Sequence, residues 1–331
     1  MTTLWDTTGS AVVRALTAER RASGVVSTGV ALTLVVVAEE KDVADAEQAA
    51  TRAAAEHPCR LLLVVRRRPD AAESRLDAEV LIGGRLGPGE AVVMRMYGRL
   101  ALHAESVVLP LLAADAPVVT WWFAHPPDLI AHDPLGVFAD RRVTDCAIGD
   151  EPLGALKVRA DDYAPGDTDL SWTRTTQWRA LCASAFDSLD EVPTAARVRG
   201  RAGDASRALV AGWVERRLGV GVEQVDEGRE SITAVEFDLD GGGELRIART
   251  DVRAAVIAHT GVPDRPMPLS QLELGDLLAE ELRRLDPDET YAEALETATG
   301  TSGLSARSRV RVHVWHDPTE ESTPDPALTT T

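Results

Sequence analysis

Two nearly continuous aliphatic runs constrain the fold of this chain more than any other feature. The first covers residues 28–38 and reads TGVALTLVVVA, and the second begins at Cys59 and reads CRLLLVVRR. A strand with one solvated face alternates apolar and polar residues, and neither run does so. Both runs therefore predict strands that are covered on both faces, as in the parallel sheets of α/β proteins.

Helical and strand patterns alternate around these two runs. Helices are predicted over residues 9–22, 42–56 and 103–112, and further strands over 76–82, 91–97, 116–124 and 143–148. The segment GGRLGPG between the strands at 76–82 and 91–97 favours an antiparallel hairpin. The fold class expected for residues 1–160 is α/β, a mixed and mostly parallel sheet with helices on its faces.

The second half of the chain has a different pattern. Residues 151–168 are rich in turn formers and are the predicted domain boundary, followed by an α+β domain with antiparallel strands over 165–316. Its predicted elements are an amphipathic helix around Trp178, a helix at 206–219, a hairpin around glycines 241–243, a strand at 251–259, helices at 270–285 and 288–299, and a strand at 310–315. Either Asp204 or Ser206 is expected to cap the helix at 206–219, and Gly219 is expected to end it. Residues 317–331 lack apolar side chains to bury and are expected to be disordered.

The net charge and the spacing of the cysteines limit which classes of protein this chain can belong to. The formal net charge is -18, and such an acidic surface repels nucleic-acid phosphates and anionic lipids, so neither is expected as a partner. No apolar run reaches about 18 residues and no secretory signal is visible, which favours a cytoplasmic protein. Cys59, Cys146 and Cys182 lie far apart and are odd in number, which favours reduced thiols over a disulfide framework.

Common catalytic motifs are missing from the sequence. There is no P-loop, no G-x-G-x-x-G between a strand and a helix, and no G-x-S-x-G elbow. The H-x-E triplet from His103 to Glu105 occurs in zinc deaminases, but the P-C-x-x-C pair that completes their metal site does not follow. Cys59, two residues after His57, is either a reactive thiol or a core residue. We expect no catalytic residues, no cofactor and no metal.

Tryptophans stand out in a chain with only 4% aromatic residues. Trp121 and Trp122 are neighbours in a predicted strand, so their side chains point to opposite faces of the sheet. Each is either packed in the core or exposed to a partner or ligand.

A second aromatic and basic group begins at Asp169. Trp172 is offset from the apolar stripe of the following helix and is placed to cover the domain junction, with Arg174 and Arg179 nearby. Asp169 either caps this helix or pairs with one of the two arginines. Structural roles and partner contacts both remain open for this group.

Several co-linear segments resemble the OpcA family. They are HPCR (57–60), HAESVVLPLLAADAPVVTWW (103–122), VTDC (143–146), DLSWTRTTQWRALCASAFD (169–187) and ALVAGWVERRLG (208–219). Cys59 and Cys146 stand where the family usually has serine, and Ala116 where it often has leucine. The resemblance implies a two-part chain that is a partner of glucose-6-phosphate dehydrogenase in the oxidative pentose phosphate pathway, with no reaction of its own. In cyanobacterial members the effect is linked to thiol redox state, and whether these cysteines sense it is left open.

The expected function is therefore that of a non-catalytic assembly factor or allosteric activator of glucose-6-phosphate dehydrogenase. Its own oligomeric state is left open. Eight residues are candidates for the partner contact: His103, Glu105, Trp121, Trp122, Asp169, Trp172, Arg174 and Arg179. The alternative is a sensor or enzyme that binds a sugar phosphate, with the arginines at 66–68 as its anion site. The other interpretation of those arginines, a basic strand end that faces solvent, is favoured.

Overall fold

The computed structural model describes residues 1–23, 30–83, 86, 89–187, 189–228 and 230–308. These residues form an eight-stranded and a six-stranded sheet with helices packed on them. The predicted strand at 310–315 and the predicted disordered tail at 317–331 lie outside the described residues.

The first sheet is mixed and mostly parallel, as the sequence predicts. Its strands are β1 (Thr2–Leu4), β2 (Leu32–Ala38), β3 (Cys59–Arg67), β4 (Arg75–Ile82), β5 (Glu90–Tyr97), β6 (Val118–Trp122), β7 (Arg141–Thr144) and β8 (Asp167–Asp169). Their order is β1-β4-β5-β3-β2-β6-β7-β8. Neighbours from β5 to β8 are parallel, and β4 pairs antiparallel with β5 in the predicted hairpin.

Helices lie between and after these strands. They are α1 (Gly9–Ser23), α2 (Val43–Glu56), α3 (Arg99–Leu102), α4 (Glu105–Val108), α5 (Pro152–Asp162), α6 (Leu170–Thr173), α7 (Thr176–Phe186), α8 (Ala205–Leu218), α9 (Leu274–Leu282) and α10 (Glu289–Thr299). The single helix predicted over 103–112 is wrong. The short helix α4 and a 3-10 turn at Leu109–Leu111 replace it, and Pro110 disfavours a continuous α-helix there.

The strand predicted over 143–148 is also too long. β7 ends at Thr144, because the Asp145 carboxylate accepts a hydrogen bond of 3.2 Å from the Ala147 amide and starts a 3-10 turn at Cys146–Ile148. Side-chain capping of this kind competes with the strand ladder for the backbone.

Both faces of the first sheet are covered. Leu34, Val36 and Leu63 belong to the core on one face, under α2 and α9, whereas Val35 and Leu62 belong to the core on the other, under α1. This double coverage explains why the two aliphatic runs do not alternate with polar residues.

The second sheet has one packed face. Its strands are β9 (Pro193–Gly200), β10 (Val222–Asp226), β11 (Ala234–Leu239), β12 (Glu244–Asp251), β13 (Ala254–His259) and β14 (Val262–Pro268), in the order β10-β9-β11-β12-β13-β14. All pairs are antiparallel except β9 with β10. Apolar side chains of α7 and α8 pack on this sheet in one core with Val198, Phe237 and Ile247.

The predicted caps of α8 are confirmed. The Asp204 carboxylate accepts a 3.0 Å hydrogen bond from the Arg207 amide at the N-terminus. At the C-terminus Gly219 has φ of 67°, a left-handed conformation that glycine adopts at little cost.

The two halves of the chain interlock. Residues 151–168 are not a loop, since they include α5, and β8 extends the first sheet past residue 160. After the second sheet the chain returns, and α9 packs on α2 so closely that a Cβ on Gly275 would lie 2.7 Å from Arg52 Cβ. The cover of the first sheet is therefore partly built from the second half of the chain.

Candidate functional site

The adjacent tryptophans are core residues. Trp121 is 0% exposed and packs with the core under α2 and α9, whereas Trp122 is 1% exposed and packs with the core under α1. Their opposite directions follow from the alternation of a strand. Both tryptophans are therefore packed in the core, and neither ring is exposed for contact with a partner in this structure.

Asp169 organises the buried turn that follows β7. Its carboxylate caps α6 by accepting a 2.9 Å hydrogen bond from the Ser171 amide. It also accepts from the Thr144 hydroxyl at 2.6 Å and from the Cys146 amide at 3.0 Å. Asp169 is therefore a cap, but of the short helix α6 and not of α7, the amphipathic helix that contains Trp178. Its carboxylate also joins the end of β7 to the helix that follows β8.

Arg174 pairs with a different carboxylate. Its guanidinium donates to both oxygens of Asp145, at 2.6 and 2.7 Å. Asp145 is buried whereas the Arg174 side chain is 30% exposed. This bidentate pair links α6 to the 3-10 turn and leaves one edge of Arg174 at the surface.

Trp172 and Arg179 stack at the junction of the two halves. The Arg179 guanidinium lies 3.6 Å from the centroid of the Trp172 ring, and the indole N–H donates to Asp288 Oδ2 at 2.8 Å. Burial lowers the pKa of the Arg179 guanidinium to about 10, so it stays protonated at neutral pH. The stack ties α6 and α7 to the N-terminus of α10 and lines a cleft of about 550 Å³.

His103 and Glu105 are near the surface. His103 Nδ1 and Glu105 Oε1 are 3.4 Å apart, and their side chains are 31% and 26% exposed. Glu105 directly precedes Ser106, one of the residues that line a second cleft of about 550 Å³ between the start of α1 and residues 106–110, which we call the N-terminal cleft. Of the eight candidates, this pair and the two arginines are the ones that keep substantial exposed surface.

The sequence reasoning missed Trp5. Its side chain is 69% exposed, two residues before Thr7 of the N-terminal cleft. The backbone around it is held, because the Asp6 amide donates to Asp77 Oδ1 at 2.9 Å and the Thr7 amide to the Leu76 carbonyl at 2.8 Å. A tryptophan within the polar segment MTTLWDTTGS was the available signal.

All three cysteines are free thiols in buried positions. Burial raises the pKa of the Cys59 and Cys182 thiols to about 12, and it raises that of Cys146 well above its usual range. A protonated thiol is a poor nucleophile. The core interpretation of Cys59 is therefore favoured over the reactive one.

Thiol-specific reagents are accordingly expected not to modify the native protein at pH 8. In denaturant all three cysteines should react, because unfolding restores thiols with ordinary pKa values near 8.5. Mass spectrometry after timed alkylation gives the number of modified thiols. Rapid modification of any cysteine in the native state would restore the redox-sensing hypothesis.

A further cleft of about 490 Å³ lies at the carboxyl ends of β2, β3 and β6. Open α/β sheets bind ligands at this position, where the strand order reverses. Pyrophosphate sites place a glycine-rich loop after the first strand, whereas this chain has Glu39, Glu40, Lys41 and Asp42 there. Carboxylates at the N-terminus of α2 repel a phosphate, so this loop does not fit a dinucleotide.

The arginines at the end of β3 are largely paired. Arg66 contacts both carboxylate oxygens of Asp133 at 3.1 Å. Arg67 donates to the Tyr97 hydroxyl at 2.7 Å and lies 3.4 Å from Glu40. These partners favour the interpretation as a basic strand end over an anion site.

Glu39, Asp42 and His125 form a cluster that the sequence reasoning also missed. One potential ligand atom from each lies within 4.8 Å of the other two. Glu39 and Asp42 follow β2, and His125 follows the neighbouring parallel strand β6. Polar residues directly after two buried strands were the signal that could have indicated it.

Two family models match consecutive parts of the chain. The one described as the glucose-6-phosphate dehydrogenase subunit N-terminal domain matches residues 50–161, and the one described as the C-terminal domain matches residues 165–295. No curated protein matches the chain. Among the described residues, no helix is both long enough and apolar enough to cross a membrane.

The similarity to solved structures is low. The 3-ketoreductase KijD10 from Actinomadura kijaniata is 13% identical, with a TM-score of 0.45 over 82% of this chain and 96% of its own. An oxidoreductase from Sinorhizobium meliloti is 11% identical, with a TM-score of 0.37 over 80% and 86%. The family matches are specific, and the chain belongs to the OpcA family of glucose-6-phosphate dehydrogenase subunits.

Proposed function

We propose that this chain is a non-catalytic assembly factor and allosteric activator of glucose-6-phosphate dehydrogenase, acting in the cytoplasm in the oxidative pentose phosphate pathway. The observation that carries the proposal is the consecutive match of both subunit domains over residues 50–295. The acidic loop after β2, which does not fit a dinucleotide, supports a role without catalysis. The net charge of -18 favours a protein partner over nucleic acid or an anionic membrane.

The mechanism that suits such a role is linkage. A protein that binds the active assembly more tightly than the inactive or dissociated form shifts the population towards the active one. Moving an equilibrium from 1:99 to 99:1 requires a difference of about 5.5 kcal/mol in binding free energy. A few buried aromatic anchors at an interface can supply this amount.

We place the contact at the N-terminal cleft. Trp5, which is 69% exposed, lies two residues before Thr7 of the cleft lining, and Leu109, which is 47% exposed, directly precedes Pro110 of the lining. Glu105 directly precedes Ser106 of the lining and lies 3.4 Å from His103. Exposed tryptophans on an ordered backbone are the commonest interface anchors, because little conformational entropy is lost when they are buried. The hydrogen-bonded backbone around Trp5 provides this order.

The Trp5→Ala variant is expected to bind the dehydrogenase at least about 30-fold more weakly, since anchors of this type contribute about 2 kcal/mol or more. Sedimentation velocity with the purified dehydrogenase measures the affinity. Val252→Ala removes a similarly exposed side chain from the turn between β12 and β13 and should bind as the wild type does. Equal affinity of Trp5→Ala and wild type would show that the contact does not lie at the N-terminal cleft. If the wild-type chain formed no complex with the dehydrogenase, the proposed function itself would be refuted.

A further inference from the structure

The cleft at the carboxyl ends of β2, β3 and β6 contains a group of side chains of the types that bind metal ions. Glu39 and Asp42 follow β2, and His125 follows β6. Two hydrogen bonds hold the segment that follows β6. The Phe123 amide donates to the Val37 carbonyl at 2.9 Å, and the His125 amide donates to the Phe123 carbonyl at 2.8 Å. The ends of two adjacent parallel strands thus place the imidazole next to the carboxylates, with Glu39 and His125 exposed and Asp42 half-buried.

Lys41 shows that this cluster accepts a cation. Its ammonium nitrogen lies 3.1 Å from Glu39 Oε2 and 3.3 Å from His125 Nε2. An ammonium group only donates, so His125 Nε2 must accept, with its lone pair directed towards the position of the charge. The same lone pair is the one that a metal ion would use.

Asp42 provides the independent observation. It stands at the N-cap position of α2, yet its carboxylate caps no amide of that helix. Its side chain is half-buried, and its Oδ2 atom is shielded from solvent and has no hydrogen-bond partner within the described part of the chain. A buried carboxylate oxygen without a partner is costly, and a cation bound to that oxygen would remove the cost.

We propose that Glu39, Asp42 and His125 bind a divalent transition-metal ion, with Lys41 as the intramolecular cation that the metal displaces. One imidazole and two carboxylates suit Zn²⁺ and similar ions better than Mg²⁺ or Ca²⁺, which prefer oxygen ligands alone. Three protein ligands leave at least one coordination position for water. The proposal goes beyond the dehydrogenase partnership and does not rest on it.

Isothermal titration of the chelator-treated full chain with Zn²⁺ tests the site. One site is expected in wild type, weakened at least about tenfold in Asp42→Asn and in His125→Ala, because losing even an outer-shell partner of a metal costs about 10- to 100-fold. Lys41→Met should bind Zn²⁺ about tenfold more tightly, since it removes a positive charge close to the ion. Thermal unfolding of each metal-free variant checks that it folds.

His259→Ala is the matched control. His259 Nε2 lies 2.9 Å from Glu191 Oε2, so this variant removes another histidine paired with a carboxylate, and Zn²⁺ binding should be unchanged. The visible spectrum of bound Co²⁺ provides a second readout and should change in His125→Ala but not in His259→Ala. Wild-type affinity in His125→Ala, weaker binding in Lys41→Met, or no binding to wild type would each overturn the proposal.

Discussion

Replacing Glu281 with alanine is expected to destabilise the protein by about 3–5 kcal/mol, the cost of leaving a buried charge without its partner. Glu281 lies on α9 and is buried together with Arg141 of β7, whose guanidinium donates to its Oε2 through two nitrogens. The Thr173 hydroxyl donates to the other carboxylate oxygen. One side chain therefore joins the first sheet, α6 and the returning helix.

The neighbouring residue provides the control for this prediction. Glu280 pairs with Arg283 at 3.0 Å on the surface of the same helix, with 37% of its side chain exposed. Glu280→Ala should cost no more than about 1 kcal/mol, as exposed ion pairs do. Chemical denaturation of both variants gives the two free energies of unfolding. Similar values for Glu280→Ala and Glu281→Ala would show that the α9 contact does not hold the two halves together.

Asp169→Ala is expected to cost about 3 kcal/mol or more. The carboxylate is fully buried, and its loss leaves the Ser171 amide, the Cys146 amide and the Thr144 hydroxyl without their acceptor. Each buried donor that loses its partner costs about 1–3 kcal/mol. The measurement is again the free energy of unfolding in denaturant.

Asp187, at the other end of the same sequence motif, is exposed. Asp187→Ala should change the free energy of unfolding by no more than about 0.5 kcal/mol. A small effect of Asp169→Ala would mean that the motif is not structural. The DLSW segment would then become a stronger candidate for the partner contact.

Local signals predicted much of the fold. The aliphatic runs indicated two central strands of the first sheet because a strand covered on both faces needs apolar residues at every position. The caps of α8 were predicted because Asp204 and Gly219 each satisfy one end of that helix by short-range chemistry.

The errors arose where long-range contacts decide the structure. β14 was missed because Pro263, Pro266 and Pro268 argue against a strand, yet an edge strand tolerates proline on its unpaired side. The return of α9 to the first sheet depends on packing against α2, more than 200 residues earlier in the chain. No local pattern encodes such a contact.

The candidate site was harder to predict than the fold. Tryptophans were chosen as partner residues because they are rare, but Trp121, Trp122 and Trp172 are almost fully buried. Residue type does not distinguish a core tryptophan from an interface anchor. Trp5 had a signal in its polar segment, but its exposure is known only from the structure. The cluster of Glu39, Asp42 and His125 depends on the pairing of β2 with β6, which no local pattern specifies.

Activity of purified glucose-6-phosphate dehydrogenase, titrated with this chain, tests the central claim most directly. The proposed role predicts that the rate rises to a plateau and is half-maximal at the chain concentration that half-saturates binding in sedimentation, while the chain alone converts neither glucose 6-phosphate nor NADP. A saturated complex with an unchanged rate, or turnover by the chain alone, would contradict it.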